Sequence, residues 1–218
     1  MTSTERLDVA AVDYVLSTTR SVRRRLDFDR PLPRAVIEEA IKVAVQAPTG
    51  GGVPRWHWYV IDDPGLKQQL ADLLQAQFSN GKGDGYFEMI ASVSGAEHAE
   101  KLRVSTMHLV DNYHRLPYIV IPTMWNPVPL GELDSYASNL VYGSIMPAAW
   151  SFLLALRARG VGSAWTAGSL QQEDKVREIV GIDPDHRPIA VFPVAYTIGT
   201  DFKPVARETS SIVHWNRA

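Results

Sequence analysis

The stretch that decides the fold carries no charge: Ser135-Tyr-Ala-Ser-Asn-Leu-Val-Tyr-Gly-Ser-Ile-Met-Pro147-Ala-Ala-Trp-Ser-Phe-Leu-Leu-Ala-Leu156. Its length would reach across a membrane, because a spanning helix needs about 20 apolar residues. Polar side chains such as Ser138 and Asn139 lie all round the helix, however, and Pro147 interrupts it. We therefore predict a helix that is buried on every side in a soluble protein.

The composition is that of one globular domain spanning residues 1–218. Hydrophobic residues make up 45% of the chain, which suffices for a substantial core. The formal net charge is −2, from 22 basic and 24 acidic residues without a basic stripe, which argues against nucleic acid and membranes as partners. The N-terminus lacks the apolar segment of a signal peptide, so we expect a cytoplasmic protein.

The sequence predicts no metal site and no catalytic side chain. It contains no cysteine, and its six histidines never stand at metal-ligand spacing. It contains no Gly-x-Ser-x-Gly elbow, and its carboxylate pairs are ordinary surface neighbours. If the protein is an enzyme, a cofactor is expected to carry the reaction.

Hydrophobic periodicity predicts helices interspersed with apolar strands. Strands are expected at residues 56–61, 116–124 and 188–197, and a short one directly after Gly160. Residues 79–85 have the composition of a mobile loop and residues 86–95 show no clear pattern, although the whole segment is expected to help shape a pocket. The predicted helices cover residues 9–16, 34–47, 66–78, 96–115, 135–156 and 173–180, with Asp8 and Ser169 as candidate N-caps of the first and the last.

Two cationic segments lie near opposite ends of the chain and together would suit one phosphate group. Residues 20–25 contain four arginines, and the C-terminal segment carries Lys203 and Arg207. Arginine forks match the geometry of phosphate oxygens, and a neighbouring serine adds a donor. The alternative for the arginine cluster is a solvated basic turn.

A glycine-rich loop, Pro48-Thr-Gly-Gly-Gly-Val-Pro54, follows a predicted helix and opens a predicted strand. A phosphate-binding loop has the reverse order, since it follows a strand and opens a helix. We expect these glycines to let the backbone approach a flat or bulky group. Simple loop flexibility is the alternative.

Four segments resemble motifs of the FMN-dependent nitroreductase family, and in particular its actinobacterial-type members. The first resembles the family's Arg-Arg-Ser-x-Arg and the second its Ala-Pro-Ser/Thr-Gly loop. The match covers most of the chain, and all four segments occur in the right order. They are Thr19-Arg20-Ser21-Val22-Arg23, Ala47-Pro48-Thr49-Gly50, Gly160-Val-Gly-Ser-Ala-Trp165-Thr166 and Phe202-Lys203-Pro-Val-Ala-Arg207.

The resemblance implies a particular architecture. The fold class would be α+β, a three-layer sandwich in which a mixed central β-sheet is flanked by helices. Two chains would form an intertwined homodimer with a flavin at the subunit interface. The uncharged helix would then be the main dimer helix, because an obligate interface resembles a core cut in half. The segment from Thr200 onward would wrap the other subunit.

The resemblance also implies the chemistry. FMN would be the cofactor, NAD(P)H would give a hydride to flavin N5, and a small aromatic acceptor such as a nitroaromatic or a quinone would then be reduced in a ping-pong scheme. The substrate pocket would include Gly52, Trp125 and Tyr142. The implied FMN-binding residues are Thr19, Arg20, Ser21, Val22, Arg23, Pro48, Thr49, Gly50, Thr166, Ala167, Gly168, Lys203 and Arg207.

The sequence departs from the family pattern in two places. The family loop continues with Ser-Asn-x-Gln, where this chain has Gly51-Gly52-Val53-Pro54, and the first arginine of the N-terminal motif is Thr19. Each lost hydrogen bond would weaken flavin binding by about 0.5–1.5 kcal/mol. Two alternatives to a reductase therefore stay open: a flavin-binding or flavin-sequestering protein with little turnover, and a specialised member that fragments or dehydrogenates its ligand.

Overall fold

A computed structural model describes residues 8–216, apart from the side chain of Asn80. The N-terminal segment whose polar sequence predicts the absence of a signal peptide lies almost wholly outside these residues. Within them the chain forms a central sheet with helices on both faces. The seven α-helices of this part are Val9–Thr18 (α1), Arg34–Ala44 (α2), Pro64–Phe78 (α3), Asp84–Ser94 (α4), Ala96–Asp111 (α5), Ser135–Ala158 (α6) and Glu173–Val180 (α7).

All strand pairs in the described residues run antiparallel, so the parallel pairs of the expected mixed sheet are absent there. The described segment after Thr197 forms no strand. The α+β class and the sandwich with a central sheet are confirmed. The sheet has the order β1-β6-β3-β2, with β4 also paired to β6 and β5 to β3. The strands are Leu26–Asp27 (β1), Trp56–Ile61 (β2), Tyr118–Trp125 (β3), Val161–Ser163 (β4), His186–Pro188 (β5) and Phe192–Thr197 (β6).

The two faces of β3 separate the layers. Tyr118 and Val120 pack against α2 and α6, whereas Ile119 and Ile121 pack against α3, α5 and α7. Successive side chains of a strand point to opposite faces, so a strand covered on both faces reads as an unbroken apolar run. This arrangement explains why the sequence around residues 116–124 is uniformly apolar.

Helix α6 packs along one face of the sheet. Asp134 caps its N-terminus, because the Asp134 carboxylate accepts a hydrogen bond from the Ala137 amide at 2.7 Å. By length and composition this helix could span a membrane, and half of its most apolar window is buried inside the fold. The prediction that it is buried on every side is wrong for a single chain, because Tyr136, Leu140 and Trp150 are exposed on the side away from the sheet. Pro147 divides it. The first half packs in a cluster with Met124 and Ile189, and the second half packs against the sheet through Phe152.

A β-bulge separates β5 from β6 along one edge of β3, where the sequence predicts one continuous strand over residues 188–197. At this point residues 121–122 of β3 oppose residues 189–191. The amide of Val191 donates to the carbonyl of Thr166 at 2.8 Å, and the Thr166 hydroxyl donates back to the carbonyl of Val191. A bulge re-aims the chain in this way, and here it fixes the turn that follows β4.

Other element bounds also differ from the sequence prediction. Helix α4 occupies the segment without a clear pattern, because Phe87 is buried and packs near Phe78 with ring centroids 6.0 Å apart. The helix predicted over residues 96–115 ends as a 3₁₀ turn, Tyr113–Arg115. Ser169 lies inside another 3₁₀ turn, Gly168–Gln172, so it does not cap α7, whereas Asp8 caps α1 as predicted.

Candidate functional site

A cavity of about 560 Å³ opens between the turn after β4 and the helices α3, α4 and α5. Its volume lies within the range of roughly 300–1,000 Å³ that is usual for small-molecule sites. Arg23 and the residues Thr166, Ala167 and Gly168, far apart in the sequence, meet on its wall. We call it the large cavity.

The turn that lines the large cavity is made of small residues. Thr166 is held to the bulge at Val191, and Ala167 and Gly168 follow it without a bulky side chain. A Cβ on Gly168 would lie 3.2 Å from Cδ1 of Leu74, which is tighter than an ordinary contact. Small residues at this place keep the backbone open to a flat group that must approach closely.

Arg23 supplies a positive charge at the inner wall of the large cavity. Burial lowers the pKa of its guanidinium, and the nearby phenol of Tyr86 acts in the opposite direction. Arginine stays charged even when its pKa falls somewhat, because its ordinary value is so high. The cavity therefore holds a permanently charged, partly desolvated cation.

The outer wall of the large cavity was not predicted in detail. It combines aromatic and apolar side chains with uncharged polar groups and one further cation, Lys82. No carboxylate is among the described residues that line it. The only sequence signal was positional, since the segment 79–94 was expected to shape a pocket. The outer-wall residues are Leu74, Gln77, Phe78, Lys82, Gly83, Tyr86, Thr106, Leu109, Val110, Trp165 and Gln171.

A second, small cavity of about 50 Å³ lies on the other side of Trp165, which lines both cavities. Its wall includes the predicted residues Thr19, Arg20, Ser21 and Val22. The Val22 amide donates to the carbonyl of Ser163 at 2.8 Å, and this bond ties the arginine-rich segment to β4. The Ser163 hydroxyl is buried there without a hydrogen-bond partner among the described residues.

Arg157, near the end of α6, also lines the small cavity, and its side chain is buried. Its guanidinium donates to the hydroxyls of Thr18 at 3.1 Å and Tyr14 at 3.2 Å, and to the carbonyl of Thr200 at 3.0 Å. The ring of Phe202 lies 4.9 Å away. Arg157 was not among the residues that the sequence singled out for a site.

Lys203 and Arg207 are exposed on the C-terminal segment. Phe202, directly before Lys203, is the last buried residue of the described chain. The two cations therefore begin where the fold stops covering the segment. Their assignment to a phosphate stays a prediction.

The glycine-rich loop lies apart from both cavities. The Gly50 amide donates to the hydroxyl of Ser144 on α6 at 3.1 Å, and neither cavity is lined by Pro48, Thr49 or Gly50. The Thr49 hydroxyl is buried without a partner among the described residues. One chain thus does not bring this loop to the residues with which it was expected to share a ligand.

The three residues expected in a substrate pocket also lie outside the two cavities. Gly52 is exposed and has a left-handed φ of 69°. Trp125 stacks with the guanidinium of Arg55 at 4.7 Å, and Tyr142 packs beside Val141 and Ile145. Their role in a pocket stays a prediction. Among the described residues, no group of three histidine or carboxylate side chains could hold a metal ion.

The chain belongs to the nitroreductase family, whose sequence model matches residues 16–196. It is similar to a 4-nitrobenzoate reductase of Nocardioides sp. (strain LMS-CY), with 26% identity over 201 residues that cover 83% of this chain and 78% of the relative. Family membership supports oxidoreductase chemistry.

Solved structures show the same fold. The oxidized iodotyrosine deiodinase, bound to FMN and 3-iodo-L-tyrosine, has a TM-score of 0.70 and 21% identity, covering 94% of this chain and 99% of its own. An FMN and NADPH-dependent nitroreductase from Sphigopyxis sp. strain HMH has a TM-score of 0.69 and 16% identity, covering 93% and 97%. Both of these neighbours are FMN proteins.

The residues present fit parts of FMN. The large cavity offers a flat, small-residue wall and a fixed cation, which suit an electron-rich ring. The small cavity offers arginine and hydroxyl donors, among them the unpartnered Ser163 hydroxyl, which suit a polar chain or a phosphate. The glycine-rich loop fits only if it comes from another chain.

Proposed function

We propose that the protein is an FMN-dependent oxidoreductase that uses NAD(P)H to reduce nitroaromatic, quinone or related acceptors. The observation that carries this proposal is the meeting of Arg23 with the Thr166–Gly168 turn on one cavity wall. The family match and the names of the relatives point to the same chemistry. The single domain of residues 1–218 would form one FMN-binding unit in the cytoplasm.

Each group has a distinct role in this proposal. Arg20, Ser21, Lys203 and Arg207 bind the phosphate and ribityl chain. Arg23 places positive charge beside the ring, where negative charge gathers on reduction. Bound FMN supplies the hydride chemistry, and the aromatic and apolar side chains of the outer wall shield it from water.

We further propose that the protein is a homodimer in which each site draws on both chains. Within one chain the glycine-rich loop lies apart from the cavities, so a complete site needs a second loop. Helix α6 also exposes an apolar surface, and large exposed apolar patches mark interfaces. Its exposed side chains include Tyr136, Leu140, Met146 and Trp150, with Tyr14 and Leu16 on α1 and Ile212 and Trp215 on the C-terminal segment.

Light scattering tests the dimer. At micromolar concentration we expect a mass of twice the 24.2 kDa of one chain. The exposed apolar surface is unfavourable in water, and a second copy of the chain would cover it. The double variant Leu140→Asp, Met146→Asp should lower the mass towards the monomer and reduce FMN binding, whereas Val93→Asp, on the exposed face of α4, should change neither. A monomeric wild-type protein would contradict the proposal.

Substitution of the cationic residues separates the phosphate site from general basicity. We expect Arg20→Ala and Arg207→Ala to release FMN, because each removes a charge-assisted bond worth about 1.5–3 kcal/mol. Arg34→Ala should retain FMN, since this side chain is exposed on α2 and forms a 3.6 Å ion pair with Asp62. Fluorescence titration of the apoprotein measures the three affinities. Equal retention of FMN in all three variants would refute the assignment.

Anaerobic spectroscopy distinguishes the three candidate functions. A reductase should lose its flavin absorbance on addition of NADH or NADPH and recover it on addition of a quinone or nitroaromatic. A sequestering protein should bind FMN with negligible turnover, which the Gly51–Pro54 departure would explain. A specialised member that dehydrogenates its ligand should instead lose its flavin absorbance on addition of that ligand alone, because the flavin takes up the two electrons as a hydride. Flavin-loaded protein that neither nicotinamide reduces would overturn the reductase proposal.

The charge of the large cavity favours negatively charged aromatic acceptors. Arg23 and Lys82 line it and no carboxylate does, among the described residues. Phe78 and Tyr86 add aromatic surface to the same wall. With Arg23 directed to the flavin ring, Lys82 is left to attract the acceptor.

Lys82→Gln should reduce the preference for a charged acceptor. We expect the ratio of kcat/KM for 4-nitrobenzoate to that for 4-nitrobenzamide to fall about fivefold, because an exposed charge contributes up to about 1 kcal/mol. Lys101→Gln is the matched control, since Lys101 pairs with Glu97 on the exposed face of α5. An unchanged ratio in Lys82→Gln would rule out this role for Lys82.

A further inference from the structure

We propose that Arg157 is the positioning residue of the cofactor phosphate site, which gives the protein its preference for FMN over riboflavin. Arg157 is 8% exposed and bonds side chains and backbone from two distant segments at once. One segment leads into the Arg20–Arg23 motif and the other into Lys203 and Arg207. The inference rests on the proposed FMN function.

The first contact of Arg157 fixes the end of α1. Both Nε and one terminal nitrogen donate to the Thr18 hydroxyl, at 3.3 Å and 3.1 Å, and Thr18 is almost fully buried. Arg20 follows Thr18 by two residues, and an extended chain advances at most about 3.6 Å per residue. The Cα atom of Arg20 therefore lies within about 7 Å of the Cα atom of Thr18, the residue that Arg157 binds.

The second contact fixes the root of the C-terminal segment. Arg157 donates to the Thr200 carbonyl at 3.0 Å and lies 4.9 Å from the ring of Phe202. Arg25 lies 4.4 Å from the same ring and pairs with Asp201. Lys203 directly follows Phe202, so the backbone of Lys203 is held in place although its side chain is exposed.

The charge of Arg157 is the third observation. In the part of the chain that the structure describes, its partners are neutral oxygens and aromatic rings, and it forms no ion pair with a carboxylate. A buried charge without a counter-charge is costly. Arg157 also lines the small cavity together with Arg20 and Ser21. A phosphate dianion held by those residues would supply the missing negative charge.

This geometry makes a specific demand on the ligand. Riboflavin has the ring and ribityl chain of FMN but no phosphate, so the cations of the two segments that Arg157 joins contribute much less to its binding. Loss of Arg157 should therefore weaken FMN binding and leave riboflavin binding nearly unchanged. A general structural defect would weaken both flavins together.

The experiment is a fluorescence titration of the full-length apoprotein with FMN and with riboflavin. In Arg157→Gln we expect FMN affinity to fall about tenfold or more, as for the loss of a charge-assisted bond, with riboflavin affinity within about twofold of the wild type. The FMN affinity of Arg157→Lys should lie between those of the wild type and Arg157→Gln. Lysine keeps the charge but lacks the guanidinium fork that reaches both segments. Arg159→Gln, two residues on, is the control, since the Arg159 guanidinium bonds the carbonyl of Ala155 and pairs with Glu39, away from the two segments.

Two milder variants keep the test decisive if Arg157→Gln does not fold. Thr18→Val removes the hydroxyl that accepts from Arg157, and Phe202→Leu removes the ring but keeps an apolar side chain. Both should lower the ratio of FMN to riboflavin affinity in the same direction. An equal loss of affinity for both flavins, or no loss for either, would overturn the inference about Arg157 but not the proposed function. A wild-type protein that binds neither flavin would overturn the proposed function and this inference with it.

Discussion

Helix α6 carries more apolar surface than one chain covers, and the rest of the structure is arranged around this surplus. Its sheet-facing side, with Phe152 and Leu156, is completely buried. Its other side leaves Tyr136 74% exposed and Trp150 42% exposed. Because buried apolar area contributes about 25 cal/mol per Å², such a surface favours association. The loop at Gly50 and the contacts of Arg157 lie at the two halves of this helix, so the proposed site is built along its length.

The parts of the fold that the sequence predicted are those set by local pattern or by burial on all sides. The bounds of helix α6, the apolar strand β3 and the Asp8 cap of α1 are of this kind, whereas the expected burial of α6 on every side is not found in one chain. Helix α4 escaped prediction because its stability comes from Phe87 packing near Phe78, which belongs to another helix. The break between β5 and β6 escaped because Thr166, more than twenty residues earlier, binds the bulge. Neither cause is visible in a window of neighbouring residues.

The site was predicted in a similarly uneven way. Arg23 and the Thr166–Gly168 turn meet in one cavity, as the family resemblance implied. The outer wall could not be predicted, since Leu109 and Gln77 are ordinary helix residues until their helices pack. Arg157 was not singled out, because nothing in its neighbourhood of the sequence reveals Thr18 or Thr200 as partners. The order of motifs along a chain also says nothing about which subunit supplies each one, as the isolated loop at Gly50 illustrates.

Pro147 has a consequence for what keeps the two halves of α6 in line. A proline lacks the amide that would bond to the carbonyl one turn earlier, so the hydrogen-bond ladder of α6 is interrupted at its midpoint. The half before it packs in one apolar cluster and bears Ser144, while the half after it packs in another and bears Arg157. The helix nevertheless stays continuous from Ser135 to Ala158. With one backbone bond fewer at the midpoint, the alignment of the two halves depends more on those two apolar clusters.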